Sequence, residues 1–230
     1  MLGFSGVEGQ DFTAQRARMV AEVDAMYAQT RRETGLASMS APVRAALGKV
    51  ERHRLIPDSR RAQAYGNHPV PIGAGQTISQ PYIVALSTDL LAPKPGDSVL
   101  DVGTGSGYQA AVLAEMVSKV YSIELIEPLG REAAERLNAM GYRNIEVRIG
   151  DGYRGWPDKA PFDGIVVAAA APQVPAALVE QLKPGGRMVI PVGASGDIQF
   201  LKVIVKRADG GYDEKQVLPV RFVPLVPGKP

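Results

Sequence analysis

Apolar positions in the first quarter of the chain recur at three- and four-residue spacing. Met19, Val20, Val23, Met26 and Tyr27 alternate with Arg and Glu, which predicts an amphipathic helix inside a helical region running from about Phe12 to Tyr65. Ser40 followed by Pro42 opens a second helical pattern through Val43, Leu47 and Val50, with the serine as N-cap. It should stop before Pro57, because the residue ahead of a proline avoids the α region. The Gly- and Pro-rich stretch from Gly66 to Gly75 reads as a loop.

Beyond Pro95-Gly96-Asp97 the period switches repeatedly between two and 3.6. SVLDVG (98–103) is a short apolar run, followed by glycines and a helical pattern from Tyr108 to Met116. KVYSIE (119–124) is the next predicted strand, then a helix closed by Gly141 as a C′ glycine. IEVRIG (145–150) and FDGIVVAAA (162–170) are further strands. Val174 to Leu182 reads as a helix stopped by Lys183-Pro184-Gly185-Gly186. RMVIPVG (187–193) and QFLKVIVKR (199–207) complete the pattern, the latter suited to an antiparallel hairpin at the sheet edge. Strands alternating with helices imply right-handed βαβ units and a mostly parallel, twisted sheet covered on both faces. The expected organisation is a helical cap and loop over residues 1–75 and an α/β unit over 76–230, packed as one compact body.

Composition narrows the chemistry. Of 230 residues, 45% are hydrophobic and 22% charged, the profile of a globular protein. No run approaches the ~20 apolar residues of a membrane span. MLGFSGVEGQ lacks a basic start and an apolar stretch, so no signal peptide is expected and the cytoplasm is the expected compartment. The absence of cysteine excludes disulfides, thiolate nucleophiles and thiolate metal sites, and two histidines leave little for any other metal centre. A net charge of +2, with a local excess of +3 over residues 1–68, argues against a nucleic-acid partner.

Leu100-Asp101-Val102-Gly103-Thr104-Gly105-Ser106-Gly107 sits where a predicted strand ends and a helix begins, and its glycines allow a sharp turn and close approach to a ligand. Glu124 ends the next strand, 21 residues beyond Gly103, where a carboxylate can accept both hydroxyls of a ribose. Asp151-Gly152 ends the third, on the same carboxyl edge. Tyr108 stands where the third glycine of a dinucleotide fingerprint would fall, which argues against a dinucleotide.

The motif resembles that of S-adenosylmethionine-dependent methyltransferases of the Rossmann-like class. A narrower resemblance covers roughly residues 40–226. PIGAGQTISQPY (71–82), VERHRLIP (50–57), GDGYRGWP (150–157), AAAAP (168–172), LKPGGRMVIPVG (182–193) and LPVRFVPL (218–225) are similar to protein-L-isoaspartate O-methyltransferases. That resemblance implies S-adenosyl-L-methionine as cofactor and isoaspartyl proteins and peptides as substrates, with no metal, membrane or obligate partner. It implies Ser79 as the active-site serine. Cofactor contacts would come from Gln76, Thr77, Ile78 and Ser79, from Asp101 and the loop Gly103, Thr104, Gly105, Ser106 and Gly107, and from Glu124, Leu125, Asp151 and Gly152. Residues 1–39 carry little of the resemblance, and some members of that family hold histidines where this chain has Tyr82 and Val84. The alternatives are a methyltransferase of the same fold acting on a small molecule or RNA, and a non-catalytic S-adenosylmethionine-binding module.

Methyl transfer to a carboxylate needs no general base, since an α-carboxyl with a pKa of roughly 3.5 is already ionised. His53 is accordingly expected to be a structural histidine hydrogen-bonded to backbone, and Trp156 and Tyr153 to anchor their loop.

Overall fold

The computed structural model describes residues 11–194 and 196–228; MLGFSGVEGQ, on which the signal-peptide expectation rests, lies outside them. Helix α1 (Phe12–Thr34) buries Met19, Val23 and Tyr27, the expected stripe, and is capped by Asp11 and the left-handed Gly35. Helix α2 (Ala41–Lys49) starts at Ser40, whose hydroxyl accepts from Val43 N, but ends well before Pro57. Short 3₁₀ turns at Arg52–Arg54 and Asp58–Gln63 carry the chain onward.

The segment read as a loop contains a hairpin. Strands β1 (Val70–Gly73) and β2 (Gln76–Ile78) pair antiparallel around Ala74-Gly75, both with positive φ, as a two-residue hairpin turn requires. Three- and four-residue strands are too short to register as alternation. Helix α3 (Pro81–Leu91) follows at once.

A seven-stranded sheet forms the body of the molecule. Its strands are β3 (Ser98–Val102), β4 (Lys119–Glu124), β5 (Ile145–Ile149), β6 (Phe162–Val167), β7 (Leu182–Val192), β8 (Gln199–Lys206) and β9 (Tyr212–Val220), in the order β5-β4-β3-β6-β7-β8-β9. The first five run parallel, and β8 and β9 are antiparallel. Helices α4 (Tyr108–Ala114), α5 (Glu127–Ala139) and α6 (Ala176–Glu180) connect the parallel strands.

Successive residues of β3 serve opposite cores. Val99 joins α1, α2, α3 and α4 in one apolar cluster, while Leu100 and Val102 join Trp156, Leu178 and Met188 in another. Burial on both faces explains why β3 and β6 read as continuous apolar runs. The N-terminal helices thus share a core with the sheet.

Three further features depart from the sequence reading. Helix α6 is shorter than Val174–Leu182, and Lys183-Pro184-Gly185-Gly186 lies inside β7 as a bulge: Leu182 pairs with Phe162 and Arg187 with Gly164. The hairpin at the sheet edge presents β9, not β8, as its outer strand, and the charged run Asp213 to Lys215 hid that strand from apolar patterning. His53 bonds not to backbone but to the Tyr65 hydroxyl, at 2.8 Å, and stacks on Phe12. Among the described residues no helix is long and apolar enough to cross a membrane.

Candidate functional site

The carboxyl ends of β3, β4 and β6 open into a cavity. One wall is the turn between β3 and α4. Gly103 N and Thr104 N both donate to Ile123 O, at 2.8 and 3.0 Å, which ties the turn to the end of β4. Gly103, Gly105 and Gly107 all have positive φ. A Cβ on Gly107 would lie 2.9 Å from Leu137 Cδ1, so that glycine is required by packing as well as by backbone shape.

Glu124 secures the same turn from the neighbouring strand. Its carboxylate accepts from Gly105 N at 2.7 Å and from Ile126 N at 2.9 Å, and still borders the cavity. Each carboxylate oxygen can accept more than one bond, so Glu124 retains capacity for ligand hydroxyls. Beneath the turn, Thr104 Oγ1 meets Ser122 Oγ at 2.6 Å, and Ser122 Oγ donates to Asp101 Oδ2 at 2.7 Å. Asp101 is fully buried, and its other oxygen has no partner among the described residues. Burial pushes its carboxyl up to about 7, aided by the Glu124 charge and opposed by the Ser122 hydroxyl.

The facing walls arrive from distant parts of the chain. Hairpin β1–β2 and the residues after it bring Gln76, Thr77, Ile78 and Ser79 to the cavity. Asn67 Oδ1 accepts from Tyr82 N at 3.0 Å, fixing the first turn of α3 immediately after Ser79-Gln80. Arg52, fully buried, donates to Ala64 O at 2.8 Å and lies 4.6 Å over the Tyr108 ring, linking the approach to the hairpin with the start of α4. The last wall is a strap, residues 221–226. Ala170 N donates to Val223 O and Leu225 N to Ala170 O, at 2.8 and 2.7 Å.

Of the residues expected to contact a cofactor, Gln76 to Ser79, Gly103 to Ser106, Glu124, Leu125 and Gly152 line this one cavity. Asp101 lies beneath it, Gly107 turns the chain into α4, and Asp151 caps a 3₁₀ turn by accepting from Tyr153 N at 2.9 Å. Sequence reasoning missed Ala168, Ala169 and Val223 to Val226, although AAAAP and VPL stood in motifs it had singled out. Tyr82 is buried against α1, its hydroxyl 2.5 Å from Thr30 Oγ1, whereas Val84 lines the cavity.

The donor set suits S-adenosylmethionine. Among the described residues, apolar surfaces from Val102, Ile123 and Leu225 flank one carboxylate, and no Lys or Arg lines the cavity to call for phosphate. Gly152 has no room for a side chain: its Cβ would sit 2.7 Å from Val102 Cγ1. A second concavity opens beside the first, sharing Thr77, Ser79, Ala168 and Val223 with it, and among the described residues Arg221 is the one charged residue in its lining.

The chain matches the model of the protein-L-isoaspartate(D-aspartate) O-methyltransferase (PCMT) family over residues 22–229, so the likeness begins inside α1, earlier than the motifs suggest. It is 56% identical over 212 residues to protein-L-isoaspartate O-methyltransferase 1 of Cupriavidus necator, covering 92% of this chain and 82% of that one. A solved protein-L-isoaspartate O-methyltransferase shares the fold with a TM-score of 0.78 at 24% identity, over 91% of this chain and 65% of that one. A Plasmodium falciparum structure assigned as a protein-L-isoaspartate O-methyltransferase, in complex with S-adenosyl-L-homocysteine, aligns with a TM-score of 0.74 at 25% identity over 92% of this chain and 98% of that one. The family pattern runs through the strand ends, the hairpin and the strap that together build this site, and the chain belongs to the protein-L-isoaspartate(D-aspartate) O-methyltransferase family.

Proposed function

We infer that the protein transfers a methyl group from S-adenosylmethionine to the carboxylate of L-isoaspartyl residues in damaged proteins and peptides, the step that initiates their repair. The observation that carries this reading is the position of Thr77 and Ser79, in the wall common to both concavities. The first cavity holds the cofactor, with Glu124 on its ribose and the glycine turn against its amino-acid end. The neighbouring cleft, with Arg221 at its lip, receives the anionic substrate.

Bound there, the cofactor supplies a methyl group on a positively charged sulfur. The chain's part is alignment. The Ser79 hydroxyl donates to one oxygen of the substrate carboxylate and leaves the other free to attack in line. Donors on the attacking oxygen would blunt it, because charge is neutralised as the bond forms. No side chain has to accept a proton, the carboxylate being ionised at neutral pH. Holding the partners at roughly 3–3.5 Å can lower the barrier by several kcal/mol.

The test is methyl transfer from labelled S-adenosylmethionine to an isoaspartyl peptide, with its aspartyl twin as control. Labelling of the isoaspartyl peptide alone is expected. Equal labelling of both, or of neither, overturns the reading.

A further inference from the structure

The strap borders the cofactor cavity through Val223 to Val226 and the substrate cleft through Arg221 to Val223. It begins where the β8–β9 ladder ends, at the pair Gln199↔Val220. From there the backbone crosses to β6, and nothing in the ladder holds it. Its cofactor side is tied by the two bonds to Ala170 and by the Tyr153 hydroxyl, which donates to Leu225 O at 3.3 Å. The cleft side is tied by one side chain. Phe222 N donates to Gln199 Oε1 at 2.6 Å, and Gln199 Nε2 donates to Phe222 O at 3.2 Å.

A carboxamide here replaces the rung that β9 no longer forms: one donor and one acceptor meet both polar atoms of a single residue. Gln199 is 5% exposed, so a partner lost at Phe222 is poorly replaced by water. The backbone that carries it is closely packed as well. Gly193 (φ +155°) approaches so closely that a Cβ there would lie 2.8 Å from Gln199 Cα.

We propose that Gln199 is a positioning residue for methyl transfer, fixing the strap between the two concavities and hence the side of the cleft that carries Arg221. It touches neither substrate nor cofactor; it acts through Phe222. The assignment rests on the proposed function for the identity of the cleft, but the clamp itself does not. Ionised Glu at this position accepts from Phe222 N but offers no donor and turns a lone pair toward Phe222 O. Met keeps the volume and offers neither.

The experiment uses the full chain with Gln199→Glu and Gln199→Met. Peptide KM and kcat, S-adenosylhomocysteine affinity by calorimetry, and amide hydrogen exchange are measured. Peptide KM should rise tenfold or more in both Gln199→Met and Gln199→Glu. S-adenosylhomocysteine affinity should change less than threefold, because the bonds to Ala170 remain. The Phe222 amide should be protected in the wild type and exchange at least tenfold faster in Gln199→Met. A purely structural role would lower Tm without separating KM from cofactor affinity. Unchanged peptide KM in both variants, or parallel loss of both affinities, overturns the proposal. Should neither variant fold, a wild-type Phe222 amide that exchanges as fast as that of Arg221 overturns it. Failure of the wild type to methylate the isoaspartyl peptide would sink the proposed function, while exchange at Phe222 still decides the clamp.

Discussion

On one side of the cavity, Gly103 to Gly107 hang from the ends of β3 and β4 through backbone bonds to Ile123 O and the Glu124 carboxylate. On the other, Gln76 to Ser79 and residues 221–226 come from a short hairpin and from beyond the last strand, and side chains such as Asn67 and Gln199 set them in place. The first wall is part of the sheet's own architecture, so damage to it should reach the fold. The second is an addition to a finished sheet, so damage to it should reach the reaction first.

Gly107→Ala is the harshest test of that division. Left-handed strain of 1–2 kcal/mol together with overpacking against Leu137 should destabilise the protein by about 2–5 kcal/mol, read by urea unfolding. A stable Gly107→Ala protein would show the first wall to be as detachable as the second. Ser79→Ala belongs to the added wall. It should lower kcat by about 10–10³ with Tm and cofactor affinity little changed, by analogy with removal of one preorganised donor. A large drop in Tm would blur the distinction.

Glu124→Ala lies on the sheet-borne wall: it should lower Tm by leaving Gly105 N and Ile126 N without their acceptor, and weaken S-adenosylmethionine binding by about 1.5–3 kcal/mol in calorimetry, the range for bonds to a charged group. Intact affinity would mean that Glu124 serves only Gly105 and Ile126.

Asp101 sharpens the comparison through pH. Its folded pKa of about 7 exceeds the unfolded value near 3.9, so the folded state binds the extra proton and stability falls as pH rises through that interval. Asp101→Asn should flatten this dependence, by about 2 kcal/mol between pH 5.5 and 8. Parallel stability curves for the two proteins would place the carboxyl outside that window. The smallest effect is expected from Tyr82→Phe, which removes the bond to Thr30 and should cost about 0.5–1.5 kcal/mol without changing kcat. A change in kcat would make Tyr82 part of the reaction after all.

The same division governs what the sequence discloses. KVYSIE and SVLDVG read directly as strands because both their faces are buried, and the glycines and Glu124 announce the cofactor side by spacing alone. Ser79 carries no such periodic signal; it follows a three-residue strand in a stretch that patterning makes a loop, and only family likeness marks it. The strap is harder still. Val223 to Val226 are apolar residues placed by long-range bonds between Val223, Leu225 and Ala170, more than fifty positions apart in the chain. Near-neutral titration of Asp101 follows from complete burial, which a sequence does not display.

Strand order also sets a sequence of events during synthesis. β3 pairs with β4 soon after both are made, but its other neighbour, β6, arrives only at residues 162–167. Residues 221–226 follow every strand of the sheet. Until they dock against Ala170, a chain with its sheet already paired still presents an open trough where the finished enzyme has two bounded compartments. Nascent chains folding vectorially should therefore pass through an inactive stage with the glycine turn in place, and the ability to bring cofactor and damaged protein together should be the last property the molecule acquires.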